Sequence, residues 1–143
     1  MKKLFGVIAL SLASLASHAD GIDKKPVLNG TFTGTLTGVS SAVTATITYT
    51  KVGDTVILDI PQFSGTSNTV SKTITGLPSI LVPTKSKRGL VIVSDNSGAA
   101  LTGEYFMYAN QAYIDFYTSI NAANWTAAGT ATITSFTLTY NVK

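Results

Sequence analysis

The chain has 143 residues, no cysteine and one histidine, His18, with a formal net charge of +3 at pH 7. Past residue 18 it therefore offers no thiolate nucleophile, no disulfide framework and no imidazole base or zinc ligand, which excludes most nucleophilic and zinc chemistry. With 10 Lys and Arg against 7 Asp and Glu, it is not the strongly basic chain of a nucleic-acid binder.

Residues 1–19 read as an export signal. Lys2 and Lys3 give a positive start, Leu4–Leu15 is mostly apolar, and Ser17-His18-Ala19 puts small residues at positions −3 and −1 of a cut after Ala19. The apolar run is too short to span a bilayer, and nothing later resembles a transmembrane helix. Residues 20–143 then form one domain, large enough to hold a core without staples, and its expected location is secreted or periplasmic. Losing Lys2 and Lys3 lowers the net charge from +3 to +1.

Period-two alternation dominates from there. Thr31, Thr33, Thr35 and Thr37 alternate with Phe32, Gly34 and Leu36, and Val43, Ala45, Ile47 and Tyr49 alternate with threonines at 44, 46, 48 and 50. Side chains on a strand point to opposite faces in turn, so each run sends an apolar row inward and a threonine row to water. Gly53-Asp54 supplies a turn, and the strand Thr55–Ile60 stops at Pro61. Phe63–Asn68 reads as a loop and Thr69–Thr75 as a short strand, with Lys72 among its apolar positions marking a sheet edge. Gly76–Lys87, broken by Pro78 and Pro83, is a long irregular crossover. Lys85, Lys87 and Arg88 have no interleaved aromatics and read as a solvated loop, so no nucleic-acid partner is expected.

Leu90–Val93 is a continuous apolar run, which predicts a central strand covered on both faces. Asp95-Asn96-Ser97-Gly98 is the next turn; it carries oxygen-bearing side chains but falls short of a full calcium loop. A hairpin follows, Leu101–Ala109 and Ala112–Ser119 around a bend at Asn110-Gln111, then a loop at Asn121–Gly129. The last strand, Thr130–Val142, switches its apolar parity from odd to even, which predicts a β-bulge near Thr134-Ser135. The sum is an all-β fold of about eight strands, an antiparallel β-sandwich or jelly roll.

The acids past the leader are Asp20, Asp23, Asp54, Asp59, Asp95, Glu104 and Asp115. A bend at Asn110-Gln111 sets Phe106 opposite Asp115 and Glu104 opposite Tyr117, making the two acids diagonal neighbours about 7 Å apart on one face. Paired carboxylates serve glycoside hydrolases, but a polar pair on a hairpin's outer face is the plainer reading. No enzymatic activity, catalytic residue, cofactor or metal is expected. The same face carries Phe106, Tyr108, Tyr113 and Tyr117, and Trp125 in the following loop could extend it. The opposite face, with Tyr105, Met107, Ile114 and Phe116, enters the core. Rings beside carboxylates have three readings: outward tyrosines packed under a loop, a subunit contact, or a sugar site in which rings stack on the pyranose and acids accept its hydroxyls.

Gly65-Thr66-Ser67-Asn68, Thr75-Gly76-Leu77-Pro78 and Leu81-Val82-Pro83 resemble a pattern of phage virion and tail-fibre β-domains. There a strand ends in the Gly-Thr-Ser-Asn turn and the chain crosses over through Gly-Leu-Pro. The resemblance runs from Phe32 to Val93 and implies a β-sandwich that assembles, often as a trimer, and binds surface glycans or other virion parts. The leader departs from that pattern, and the combination implies a bacterial exported relative built on the same module. The resulting expectation is an exported, non-enzymatic binding module for surface glycans or another cell-surface component; the alternative is a homo-oligomeric, phage-appendage-like structural subunit.

Overall fold

The computed structural model describes residues 25–143; the expected leader and the domain start at Asp20 lie outside these residues, as do Asp20 and Asp23 themselves. Ten strands follow in chain order among the described residues: β1 (Val27–Thr37), β2 (Val43–Val52), β3 (Thr55–Ile60), β4 (Phe63–Thr66), β5 (Lys72–Thr75), β6 (Lys87–Ser94), β7 (Ala100–Met107), β8 (Tyr113–Tyr117), β9 (Thr130–Ile133) and β10 (Phe136–Asn141). No helix among them is long and apolar enough to cross a membrane.

The alternation builds most of these elements. Val56, Leu58 and Ile60 of β3 are buried while Thr55, Ile57 and Asp59 face out. In the β1–β2 ladder Thr31, Thr33 and Thr35 pair with Thr48, Thr46 and Thr44, so one face of the ribbon is a threonine surface and the other carries Phe32, Leu36 and Ile47. Each fully buried Leu, Ile or Phe contributes about 1.5–3 kcal/mol of hydrophobic stabilisation. A single core gathers such residues from β1 to β10, with Phe63 and Phe116 among its largest members.

All ladders are antiparallel, and they join the strands in one sheet of order β10-β3-β2-β1-β5-β8-β7-β6-β9-β4. The class is all-β and antiparallel, as the alternation predicts, but the strands form one curled sheet in place of the two separate layers of a sandwich or jelly roll. The ends of the sheet are tied together by covalent continuity. Pro61-Gln62 links β3 to β4 and Thr134-Ser135 links β9 to β10, with Ile60 paired to Phe136 on one side of the break and Phe63 to Ile133 on the other. Three Cα steps span each break, so the sheet's two ends lie within about 11 Å of one another. With each broken strand counted as one stave, the ten strands reduce to eight.

Four sequence expectations are corrected here. Phe63–Asn68 is not all loop: Phe63–Thr66 is β4, anchored by the buried Phe63 and by a 2.9 Å hydrogen bond between the Ser64 and Thr132 hydroxyls. Its Gly65 lets Val39 pack closely, since a Cβ there would stand 3.0 Å from the Val39 side chain. The parity change at Thr134-Ser135 is not a bulge: two residues stand opposite two, and both staves break together where Pro61 has no N–H to donate. Lys72 is not at an edge, because β5 lies between β1 and β8. Finally, the Leu90–Val93 run is covered on one face only; Val91 and Val93 are buried, whereas Leu90 is 63% and Ile92 45% exposed.

The crossover from β5 to β6 passes the intervening β8 and β7. It opens at Gly76, whose φ of 100° lies in the left-handed region and whose missing Cβ would stand 2.5 Å from the Thr33 carbonyl oxygen. A 3-10 turn at Ser79–Leu81 then drops Leu81 into the core, where the Tyr140 hydroxyl donates to its carbonyl at 2.5 Å.

Candidate functional site

The β7–β8 hairpin sets the frame. Its bend places Asn110 at φ 62°, and its ladder pairs Glu104 with Tyr117 and Phe106 with Asp115, the register expected from the sequence. Residues opposite one another share a face, so Glu104, Phe106, Asp115 and Tyr117 all look outward while Tyr105, Met107, Ile114 and Phe116 enter the core. Tyr113 joins the outer row from β8, and Tyr108 reaches it from the end of β7: its ring centroid lies 4.3 Å from that of Phe106 and 6.0 Å from that of Tyr113. The Tyr108 and Tyr117 hydroxyls are 3.3 Å apart. That hydrogen bond, with partial burial, pushes the Tyr117 pKa up to about 12, so its hydroxyl stays protonated and able to donate at neutral pH.

The two carboxylates differ in state. Arg88, on β6 directly opposite Phe106, forks onto Glu104: its Nε donates to Oε1 and its Nη2 to Oε2 at 2.6 Å. Glu104 is only 5% exposed, covered by its immediate neighbours although it lies close to the molecular surface. Hydrogen bonding to the guanidinium holds its carboxyl below the usual carboxylate range. An ionised, paired Glu104 is the opposite of what a proton-donating acid of a hydrolase needs. Asp115 accepts from the Thr73 hydroxyl at 2.7 Å on the adjoining β5 and has no cationic partner among the described residues.

Between β5 and β8 the outer face sinks into a groove of about 380 Å³, walled by Thr73, Thr75, Tyr113, Asp115, Tyr117 and Asn124. Two rows leave it across the strands. One runs Tyr113, Thr75, Thr35, Thr44, and the other Arg88, Phe106, Asp115, Thr73, Thr37. At about 4.8 Å between neighbouring strands the second row spans roughly 19 Å. Rings, carboxylate and hydroxyls thus form one continuous surface. A second groove, of about 460 Å³ at the seam of the sheet, is bordered by Phe136, but that ring turns inward to stack on Tyr105 at 5.5 Å.

Of the residues singled out in the sequence, Glu104, Phe106, Tyr108, Tyr113, Asp115 and Tyr117 come together. Trp125 does not extend the patch. It is 2% exposed, its Nε1 donates to the Phe116 carbonyl at 2.7 Å, and the Lys72 ammonium lies 5.5 Å from its ring centroid. Arg88, Thr73, Thr75 and Asn124 are additions from the structure. Arg88 lies in a strand and not in a basic loop; the connection between β6 and β7 runs from Asp95 to Ala99, one residue longer than the Asp95–Gly98 turn read from the sequence, and this sets Arg88 opposite Phe106.

The groove's far wall depends on a buried lysine. Lys72, 1% exposed, donates from Nζ to the Ser67 hydroxyl at 2.9 Å and the Thr69 carbonyl at 2.6 Å. Burial pushes its pKa down, and the charge of Asp95 partly opposes that. Asp95 itself clamps the 118–129 loop, accepting from the Thr126 amide at 3.0 and 3.1 Å and from its hydroxyl at 2.8 Å. The Asp95–Gly98 turn therefore directs its carboxylate at a loop, and no group of three potential metal ligands occurs among the described residues.

No family model matches the chain, and no curated protein matches it. Among solved structures, it is similar to the reovirus attachment protein sigma1 in complex with alpha-2,3-sialyllactose, at 15% identity and a TM-score of 0.48. The match covers 81% of this chain and 66% of that one, so the chain spans just under two thirds of the structure it resembles.

Proposed function

We propose that the protein is an exported, non-enzymatic β module that binds glycans in the groove between β5 and β8. The observation that carries this reading is the joining of two half-buried tyrosines, Tyr113 and Tyr117, one carboxylate and two threonine hydroxyls around one groove of about 380 Å³, with the Tyr108 ring 6.0 Å from that of Tyr113. Exposed ring faces suit the apolar side of a pyranose, while Asp115 and the hydroxyls suit its OH groups. The fork that neutralises Glu104 supports binding over acid catalysis. A glycan array read with the wild type, Tyr113→Ala and Tyr108→Ala tests the proposal. Wild-type signal that falls at least about tenfold in Tyr113→Ala, roughly 1.4 kcal/mol, is the expected result; signal unchanged in both variants removes the site.

A second reading, a homo-oligomeric assembly subunit, draws on Leu90 and Ile92, which stand 63% and 45% exposed on the outward face of β6 beside the aromatic patch. Light scattering over micromolar concentrations separates the two: a strict monomer removes the assembly role.

A further inference from the structure

We infer that the groove is selective for uncharged sugars and turns away those bearing a carboxylate, with Asp115 as the residue that enforces the choice. The inference rests on the glycan reading and adds to it the charge class of the ligand.

Asp115 is the carboxylate among the groove's lining residues, and the hydrogen bond it receives from Thr73 uses only part of a carboxylate's acceptor capacity. Sugar hydroxyls can donate to the remainder. Arg88 is the cation on the same row, and both of its fork donors are already committed to Glu104, so that pair adds no net charge. Lys72 also contributes to the groove wall, but its ammonium is turned onto Ser67 and Thr69, and the carboxylate that acts on it is Asp95. The remaining polar groups of the wall, Tyr113, Tyr117, Ser71, Thr73, Thr75 and Asn124, are neutral and both donate and accept.

A hydroxyl-rich neutral sugar matches that set, because each of its OH groups also donates and accepts. A sialic or uronic acid brings a second negative charge into a groove that already holds one, with no uncommitted cation among the residues that line it. Repulsion between two partly desolvated carboxylates is stronger than in bulk water and weakens with salt. Specificity of this kind comes from the unfavourable contact with the wrong ligand as much as from the favourable one with the right ligand.

The test uses an array of matched glycans, each neutral core printed with and without a terminal sialic or uronic acid, read at low and at high salt. Wild-type protein should bind neutral members at least about tenfold better than their acidic counterparts, equivalent to about 1.4 kcal/mol, with the gap narrowing as salt rises. Asp115→Asn keeps an oxygen for Thr73 and should close most of the gap. Glu104→Gln, which frees the Arg88 fork beside the patch, should close it by a second route, and circular dichroism checks that both variants fold. Acidic glycans binding as well as neutral ones, or a gap untouched by Asp115→Asn, overturns the inference alone. Absence of binding to every glycan overturns the sugar reading and the inference with it.

Discussion

Replacing Lys72 by methionine removes the charge under the groove's wall while keeping much of the side chain's volume. In the folded protein the ammonium holds the Ser67 hydroxyl at 2.9 Å and the Thr69 carbonyl at 2.6 Å and sits against the Trp125 ring. A hydrogen bond from a charged donor contributes about 1.5 kcal/mol or more, so losing two costs about 3 kcal/mol before relaxation. Methionine carries no charge to desolvate, and the exposed Thr69 carbonyl recovers some hydration, which reduces the expected loss to about 2 kcal/mol, or roughly 6–10 °C in Tm. Trp125 is the chain's one tryptophan, so its fluorescence during urea unfolding reads the affected site directly. The variant should show a lower midpoint at unchanged slope. The pH dependence has a definite sign. Burial lowers the Lys72 pKa from 10.5, so between the folded value and 10.5 the unfolded chain binds the extra proton. Wild-type stability therefore gains a rise with pH across that window, and Lys72→Met lacks it. A variant as stable as the wild type, with the same alkaline profile, would refute the view that this lysine anchors the loops around the groove.

Three further outcomes follow from the same geometry. The Arg88 fork holds the Glu104 carboxyl below the usual range, so its contribution to stability is present above the ordinary carboxylate pKa of 4.5 and lost as pH falls through the folded value; Glu104→Gln should flatten that acid limb in a urea titration across pH. Spectrophotometric titration of the tyrosines should find one ionising near pH 12 because of its bond to Tyr108, and Tyr117→Phe should remove that step while leaving the fold intact. Gly76→Ala forces a Cβ to within 2.5 Å of the Thr33 carbonyl oxygen at a φ of 100°; a loss of roughly 1–3 kcal/mol in equilibrium unfolding is expected, and unaltered stability would show that the crossover relaxes freely.

What the sequence disclosed depended on how local the information was. The β7–β8 register could be counted from a bend only a few residues away, and with it the outward set from Glu104 to Tyr117. The partnership of Asp115 with Thr73 could not, because the β5–β8 ladder joins residues 42 apart and alternation names faces without naming neighbours. Lys72 misled for a related reason. A charge among apolar positions marks an edge only if water must solvate it, and here Ser67, Thr69 and the ring of Trp125 take water's place. The parity change at Thr134-Ser135 was visible, but its form depends on Pro61, far away in the chain on the facing stave. Leu90 and Ile92 show the limit of reading burial from hydropathy: an unbroken apolar run left half of itself in water.

Amide chemical-shift mapping with a neutral oligosaccharide selected on the array tests the sugar-binding face most directly. Shifts concentrated at Thr73, Thr75, Tyr113, Asp115 and Tyr117, saturating with ligand and weakened in Tyr113→Ala, are what the geometry predicts. Shifts confined to the seam around Asp59 and Phe136, or none at saturating sugar, would contradict it.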